Sequence, residues 1–292
     1  MLLSYSLPNE VLGRSSATLP KSDVELIEFA LNLEYLEAEF FLNGALGHGL
    51  DVVAPNLTGG GPHPIGAKIA HLGHLVRDVI LQFGLQEVGH LRAIKSTVRG
   101  FPRPLLNISS ETFGQIIDNA FGEKLQPAFD PYANDISYLI ATYVIPYVGL
   151  NGYVGANPLL QSVTAKKLVA ALLAAESGQD AVVRTMLYER RYEIVIPYGV
   201  TVAEFTNRIS ALRNKLGRDG LKDEGLVVPK ELGAEGKVTG NILSLNKDSL
   251  GYPRTPKEIL RIVYATGNES VPAGFYPKGA NGTIARSYLE HN

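Results

Sequence analysis

Apolar residues recur at helical spacing over most of the first 217 residues, which predicts helices rather than strands. Ser22–Leu46 opens on Ser22 or Asp23 as an N-cap and runs on through strong helix formers. A loop rich in Gly, Pro and His follows (Gly47–Pro64). The helical pattern returns from Ile65 to Val98, where "GFPRPLL" (Gly100–Leu106) stops it. Ser109–Gly122 predicts a shorter helix, with Ser109 or Ser110 and the acidic Glu111 as a capping signature. Ala133–Asn157 is apolar nearly all round, so a buried helix kinked at Pro146 is predicted. Pro158–Glu193 begins with a proline at its first turn, and Thr201–Gly217 is amphipathic with Gly217 as its C-cap. The sum is an all-α body on four long helices, the pattern of a four-helix bundle with extra helices.

After Gly217 the chain grows richer in Gly and turn residues, with one short helix predicted at Thr255–Thr266. Leu243, Tyr252, Phe275 and Tyr276 give this tail apolar anchors. The division expected is therefore an N-terminal arm over 1–20, a helical bundle over 21–217, and a long, mostly irregular C-terminal extension over 218–292 packed on the bundle.

Polar residues break the apolar stripes in a concerted way. On the first helix the stripe is Ile27, Ala30, Leu31, Glu34, Glu37, Ala38 and Phe41; on the second it is Ile80, Phe83, Glu87, His90, Leu91, Ile94 and Val98. On the fourth it is Leu168, Leu172, Glu176, Gln179, Val183, Met186 and Leu187. An ionised carboxylate in an apolar core is costly unless paired or bound to metal, and several together raise one another's pKa unless a cation sits between them. The bundle-core solution is a Glu from each of two helices and Glu-x-x-His from each of the other two. Here Glu34 fits a single Glu, "LQEVGH" (Leu85–His90) brings Glu87 and His90, and Glu176 is followed by Gln179 where His is expected. The third helix offers Tyr143, Pro146, Tyr147 and Asn151 but no Glu; Glu37 or Asp180 are the candidates to compensate. The expectation is a reduced or altered site for one or two ions. A buried hydrogen-bond network left over from such a site is the alternative.

Composition narrows the chemistry. With no cysteine in 292 residues, thiolate nucleophiles, disulfides and iron–sulfur ligation are excluded, and any metal must be held by nitrogen and oxygen donors. The net charge of −2 gives no sign of a nucleic-acid partner. No run approaches the roughly 20 apolar residues of a membrane span, and the N-terminus lacks a clear signal segment. His71 and His74 are three apart but too far along the chain from Glu87 to join it, and His48 and His63 flank a surface turn. Tyr138, Tyr143, Tyr147 and Tyr153 are expected to be core packing.

Longer stretches carry a family likeness. "NLEYLEAEFFL" (Asn32–Leu42), "QFGLQEVGHLRAIKSTV" (Gln82–Val98), "VIPYVGLNGYVGANP" (Val144–Pro158), "AAESGQDAVVRTMLYER" (Ala174–Arg190), "VAEFTNRISALRNKLG" (Val202–Gly217) and "GFYPKGANGTIARSYL" (Gly274–Leu289) resemble the plant desiccation-related proteins of the ferritin-like superfamily. The resemblance runs from about Ser22 to the C-terminus. It implies a ferritin-like bundle, a role in dehydration stress, a secreted or apoplastic setting, and iron or manganese at Glu34, Glu87, His90 and Glu176, with Gln179 where His is usual. By the same resemblance Pro146 falls about where the third helix would carry its Glu. The wider superfamily includes iron stores and manganese catalases, so peroxide or oxygen chemistry is implied, beside a non-enzymatic protectant role. A hollow cage is not expected, because the tail and inserted helix would crowd it; monomer and homodimer stay open.

Overall fold

The computed structural model describes residues 19–290. The expected arm over 1–20 lies almost wholly outside them. The described chain is helical: α1 (Lys21–Leu46), α2 (Leu50–Val53), α3 (His74–Thr97), α4 (Ser110–Phe121), α5 (Asp135–Val144), α6 (Pro146–Ala156), α7 (Val163–Glu189), α8 (Val202–Gly217), α9 (Pro256–Val263) and α10 (Thr283–Ser287). Two-residue strands β1 (Ile194–Val195) and β2 (Val200–Thr201) form a small antiparallel hairpin between α7 and α8. The bundle is α1, α3, the α5–α6 pair and α7.

Helix α1 is its centre, and every residue from Leu31 to Ala45 is buried. Such a helix needs covering on all sides. The bundle covers part of it and the C-terminal extension covers another part. Tyr276 Oη donates to Asn32 O at 2.8 Å, and Asn281 N donates to Asn32 Oδ1 at 2.8 Å. Further along the extension, Arg254 N bonds Asn151 O at 3.0 Å, and Asn151 returns a bond to Tyr252 O at 2.8 Å. Helix α9 carries a full capping box, in which Thr255 and Glu258 satisfy each other's backbone N–H groups.

Local boundaries differ from the sequence pattern in instructive ways. Helix α3 begins at His74, not Ile65. Gly66 takes a left-handed φ of 70°, and a Cβ there would lie 2.2 Å from the Ser109 Cβ. Its neighbour Ile65 instead pairs in parallel with Asn107. Helix α1 starts at Lys21, one residue before the expected cap. Asp23 caps another helix entry instead, accepting from Gln161 N at 2.9 Å and Ser162 N at 2.8 Å. Pro158 belongs to a short 3-10 turn, and Ser162 caps α7. Gly217 is the last residue of α8, and Arg218 takes the left-handed C-cap. A Cβ on Gly217 would sit 2.5 Å from an Arg254 terminal nitrogen, so close approach explains that glycine.

Residues 135–159 are long and apolar enough to cross a membrane, but 78% of that apolar window is inside the fold. Pro146 breaks the segment into α5 and α6, since its ring removes a backbone donor and opens a new helix. It is the third strut of the core.

One packing contact is tight enough for a prediction. A Cβ on Gly44 would lie 2.0 Å from Tyr138 Oη, and Tyr138 is pinned by stacking on Phe40 at 4.6 Å and by its bond to Phe40 O. Gly44→Ala is expected to destabilise the protein by about 1–3 kcal/mol through overpacking. Gly178, whose added Cβ meets open space, is the control. Gly178→Ala should be neutral or stabilising by up to ~1 kcal/mol. Thermal melts of the two variants check the contrast, and equal melting temperatures would count against it.

Candidate metal centre

Three of the four struts deliver polar side chains to one point in the bundle. Glu34 comes from α1, Glu87 and His90 from α3, and Glu176 from α7. Their ligand atoms all lie within 4.8 Å of one another. The sequence spacing does this directly: residues three apart on α3 share a face, so Glu87 and His90 point the same way. Glu34, Glu87 and Glu176 are at most 2% exposed, whereas the His90 side chain keeps 12% of its surface open.

His90 Nδ1 is the hub. It lies 3.1 Å from Glu34 Oε2, 3.1 Å from Glu87 Oε2 and 3.3 Å from Glu176 Oε1. One N–H cannot satisfy three carboxylates. The residue of that mismatch is visible in Glu176 and in Glu37 Oε1, which are buried without a well-placed donor. The spacing suits a cation better: two atoms at right angles, each roughly 2.1 Å from one ion, are about 3.0 Å apart. The donor set, one imidazole and several carboxylates, suits iron, manganese or zinc. The residues present therefore fit a bound divalent ion.

Electrostatics point the same way. Burial, then the neighbouring Glu176 and Glu34, pushes Glu87 well above the usual carboxylate range. Burial followed by Glu176, Glu87 and Glu34 does the same to Glu37. Burial raises Glu176 to about 7 with help from Glu34, although His90 pulls the other way. Burial disfavours the charged form of His90, but hydrogen bonds to Glu176, Glu34 and Glu87 outweigh it and hold the ring protonated. One imidazolium faces four carboxyl groups. Neutrality requires bound protons, a bound cation, or both.

The remaining sequence candidates fall around this point. Gln179 is buried and donates its amide to Glu87 Oε1 at 2.6 Å, so it orients a carboxylate where the bundle template would have a second His. Glu37 sits one turn beyond Glu34, buried, with its carboxyl hydrogen-bonded to Glu176. Asp180 lies with a different set of charges. Its carboxyl is raised to about 6 by burial, against the pull of Arg184 and Arg213. On the third strut, two residues of α6 meet the carboxylates of this region. Gly149 faces Glu37, with an added Cβ only 3.2 Å from Glu37 Oε1. Tyr153, expected to be packing, donates its hydroxyl to Glu34 Oε1. Burial and then Glu34 push its pKa far up, so it remains a protonated donor. Gly149 and Tyr153 are four apart and thus share a face of α6, the one signal in the sequence that could have found them.

The comparisons with known proteins agree with this architecture. Residues 22–189 match the model of the ferritin-like domain. The chain is 59% identical over 269 residues to the ferritin-like catalase Nec2 of Nesocodon mauritianus, covering 92% of this chain and 86% of that protein. It is also 59% identical over 264 residues to the desiccation-related protein PCC13-62 of Craterostigma plantagineum, covering 90% and 84%. No solved structure gives a significant match. With the family model spanning more than half of the chain and both relatives aligned along nearly all of it, this protein belongs to the ferritin-like family.

Proposed function

We propose that this is a dehydration-stress protein whose bundle holds one iron or manganese ion at Glu34, Glu87, His90 and Glu176 and disposes of hydrogen peroxide there. The observation that carries the proposal is the convergence of three carboxylates on His90 Nδ1 in a core that leaves oxygens of Glu176 and Glu37 unsatisfied. One ion is favoured over two because Gln179 stands three residues after Glu176, where a two-ion site would have His, and α6 carries no carboxylate. The name of one relative, a catalase, and that of the other, a desiccation-related protein, support the two halves of the assignment.

Bound iron or manganese would supply a centre able to take up and return two electrons, as conversion of two hydrogen peroxide molecules into dioxygen and two waters requires. The chain's own residues supply the rest. The Tyr153 hydroxyl holds a proton on Glu34 Oε1. The Gln179 amide fixes Glu87, a supporting contact of the kind that tunes metal sites. The open edge of His90, flanked by Gln86 on α3, gives a small polar molecule a way in, while the surrounding core keeps bulk water out.

The test is elemental analysis and oxygen-electrode assay of protein purified without chelator or His-tag, beside Glu87→Ala. Near-stoichiometric iron or manganese and oxygen release from hydrogen peroxide are expected. Both should fall in the variant by more than the roughly 10–100-fold typical of losing a supporting contact. Absence of bound metal even after anaerobic loading with Fe(II) or Mn(II) would sink the proposal. A non-enzymatic protectant, with His90 as the counter-charge of a remnant network, would then be favoured.

A further inference from the structure

Against Tyr153 lies a cavity of about 270 Å³. Its walls are α1 (Leu26, Phe29, Leu33), α6 (Gly149, Gly152, Tyr153) and the segment around Pro253–Ile259. The lining is mostly apolar, with Lys222, Arg254 and Thr255 as its polar members on the side of the extension. An apolar cavity of roughly 150 Å³ stays dry and takes up benzene, so this one has room for an aryl group or a short alkyl chain. Two features tie it to the candidate metal centre. Tyr153 is at once a wall of the cavity and the donor to Glu34. Gly149 is also a wall, and its missing side chain leaves the cavity next to Glu37 Oε1, a buried oxygen on a residue only 1% exposed. Gly152 keeps the same space open, since a Cβ there would press on Ile259 at 2.8 Å. The centre is thus approached from two sides of opposite character: a polar edge at His90 and an apolar chamber at Tyr153.

We propose that the apolar cavity is a second substrate pocket, one that seats the alkyl or aryl tail of an organic hydroperoxide with its O–O–H end toward Tyr153 and Glu37. The proposal rests on the peroxide chemistry proposed above and names a further substrate class for it. The overall change is ROOH + H2O2 → ROH + H2O + O2. The O–O bond of the organic hydroperoxide breaks, and its two oxygens are reduced to the alcohol and to water. Hydrogen peroxide is oxidised to dioxygen and provides both electrons and both protons. A pocket lined by Leu26, Phe29 and Leu33 adds binding energy only for a tail that hydrogen peroxide lacks.

The test uses cumene hydroperoxide and its stable product alcohol, 2-phenyl-2-propanol, on the full chain. Calorimetry first measures binding of the alcohol to metal-free protein, so the readout does not depend on activity. Ala30→Leu and Ala156→Leu fill the cavity from opposite walls with good helix formers, and folding of each is checked by its melt. Saturable binding to the unaltered protein, weakened at least tenfold in both variants, is expected. Metal-loaded protein should form 2-phenyl-2-propanol from cumene hydroperoxide only when hydrogen peroxide is also present. No binding to the unaltered protein, or equal binding to both folded variants, overturns the pocket even if hydrogen peroxide is consumed. Binding without turnover of either peroxide overturns the metal chemistry, and with it the substrate assignment.

Discussion

Replacing His90 with alanine is expected to abolish metal retention and to destabilise the metal-free protein by about 3 kcal/mol or more near pH 8, the size seen when one partner of a buried charge group is removed. His90 is the hub for Glu34, Glu87 and Glu176, and no other cation reaches them in the described residues. The pH dependence of stability follows from proton linkage. Glu87, Glu37 and Glu176 have folded pKa values raised above the unfolded value, Glu176 to about 7. Between roughly pH 4.5 and 7 the folded state therefore holds more protons than the unfolded one, and stability falls as pH rises. His90, also raised, contributes stability that is complete below its ordinary value near 6.5 and is lost only as pH climbs toward its folded value. In the metal-free parent both effects lower stability with rising pH. In His90→Ala only the carboxylate effect remains, without its compensating charge. Bound metal should reverse the trend, since protons compete with it for the same oxygens. Urea titrations at pH 5, 7 and 8, with and without Mn(II), measure all of this. A variant within 1 kcal/mol of the parent at every pH, still binding metal, would refute the account.

The second large effect is expected far from the centre, at Arg184 on α7. Its side chain is fully buried. It donates to Ile242 O at 2.7 Å, Asn241 O at 2.7 Å, Glu224 O at 3.1 Å and Gly225 O at 3.2 Å, and to Tyr143 Oη at 3.0 Å. One guanidinium thus holds two loops of the C-terminal extension against the bundle. Arg184→Leu keeps bulk but takes the Arg184 donor from Ile242 O and Asn241 O and leaves Asp180 with Arg213 alone as counter-charge, while Glu224 O and Gly225 O keep Tyr143 Oη and Asn241 Nδ2. A loss of about 3–5 kcal/mol is expected, with new protease cleavage between residues 224 and 242. Arg208→Ala is the control. Its ion pair with Glu204 is 37% and 41% exposed, and such pairs contribute about 0–1 kcal/mol. A cut pattern unchanged in Arg184→Leu would mean that the other contacts of the extension hold it without Arg184.

Much of the polar cluster could be read from the chain because helices convert spacing into direction. Glu34, Glu87, His90 and Glu176 each interrupt an apolar stripe, and a stripe that faces a core must deliver its intruders into it. Gln179 was visible for the same reason. Tyr153 was not. On a segment apolar all round, no stripe tells one face from another, and four tyrosines of α5 and α6 look alike. Only packing separates them: Tyr138 caps Phe40 O, Tyr143 meets Ser210, Tyr147 reaches Ser244 O, and Tyr153 alone reaches Glu34.

The sequence by itself determined the fold class, the break at Pro146 and which helix faces carry charge into the core, because these follow from local sterics and helical period. Tertiary structure decided that three carboxylates share a single nitrogen, that Gly149 faces Glu37 and Tyr153 bonds Glu34, and that an apolar chamber opens beside them. Most of these are matters of distance between segments far apart in the chain: Glu34 and His90 are 56 residues apart, Glu34 and Tyr153 119. No pattern along one helix can encode such a distance. It is set when α1, α6 and the extension close on one another.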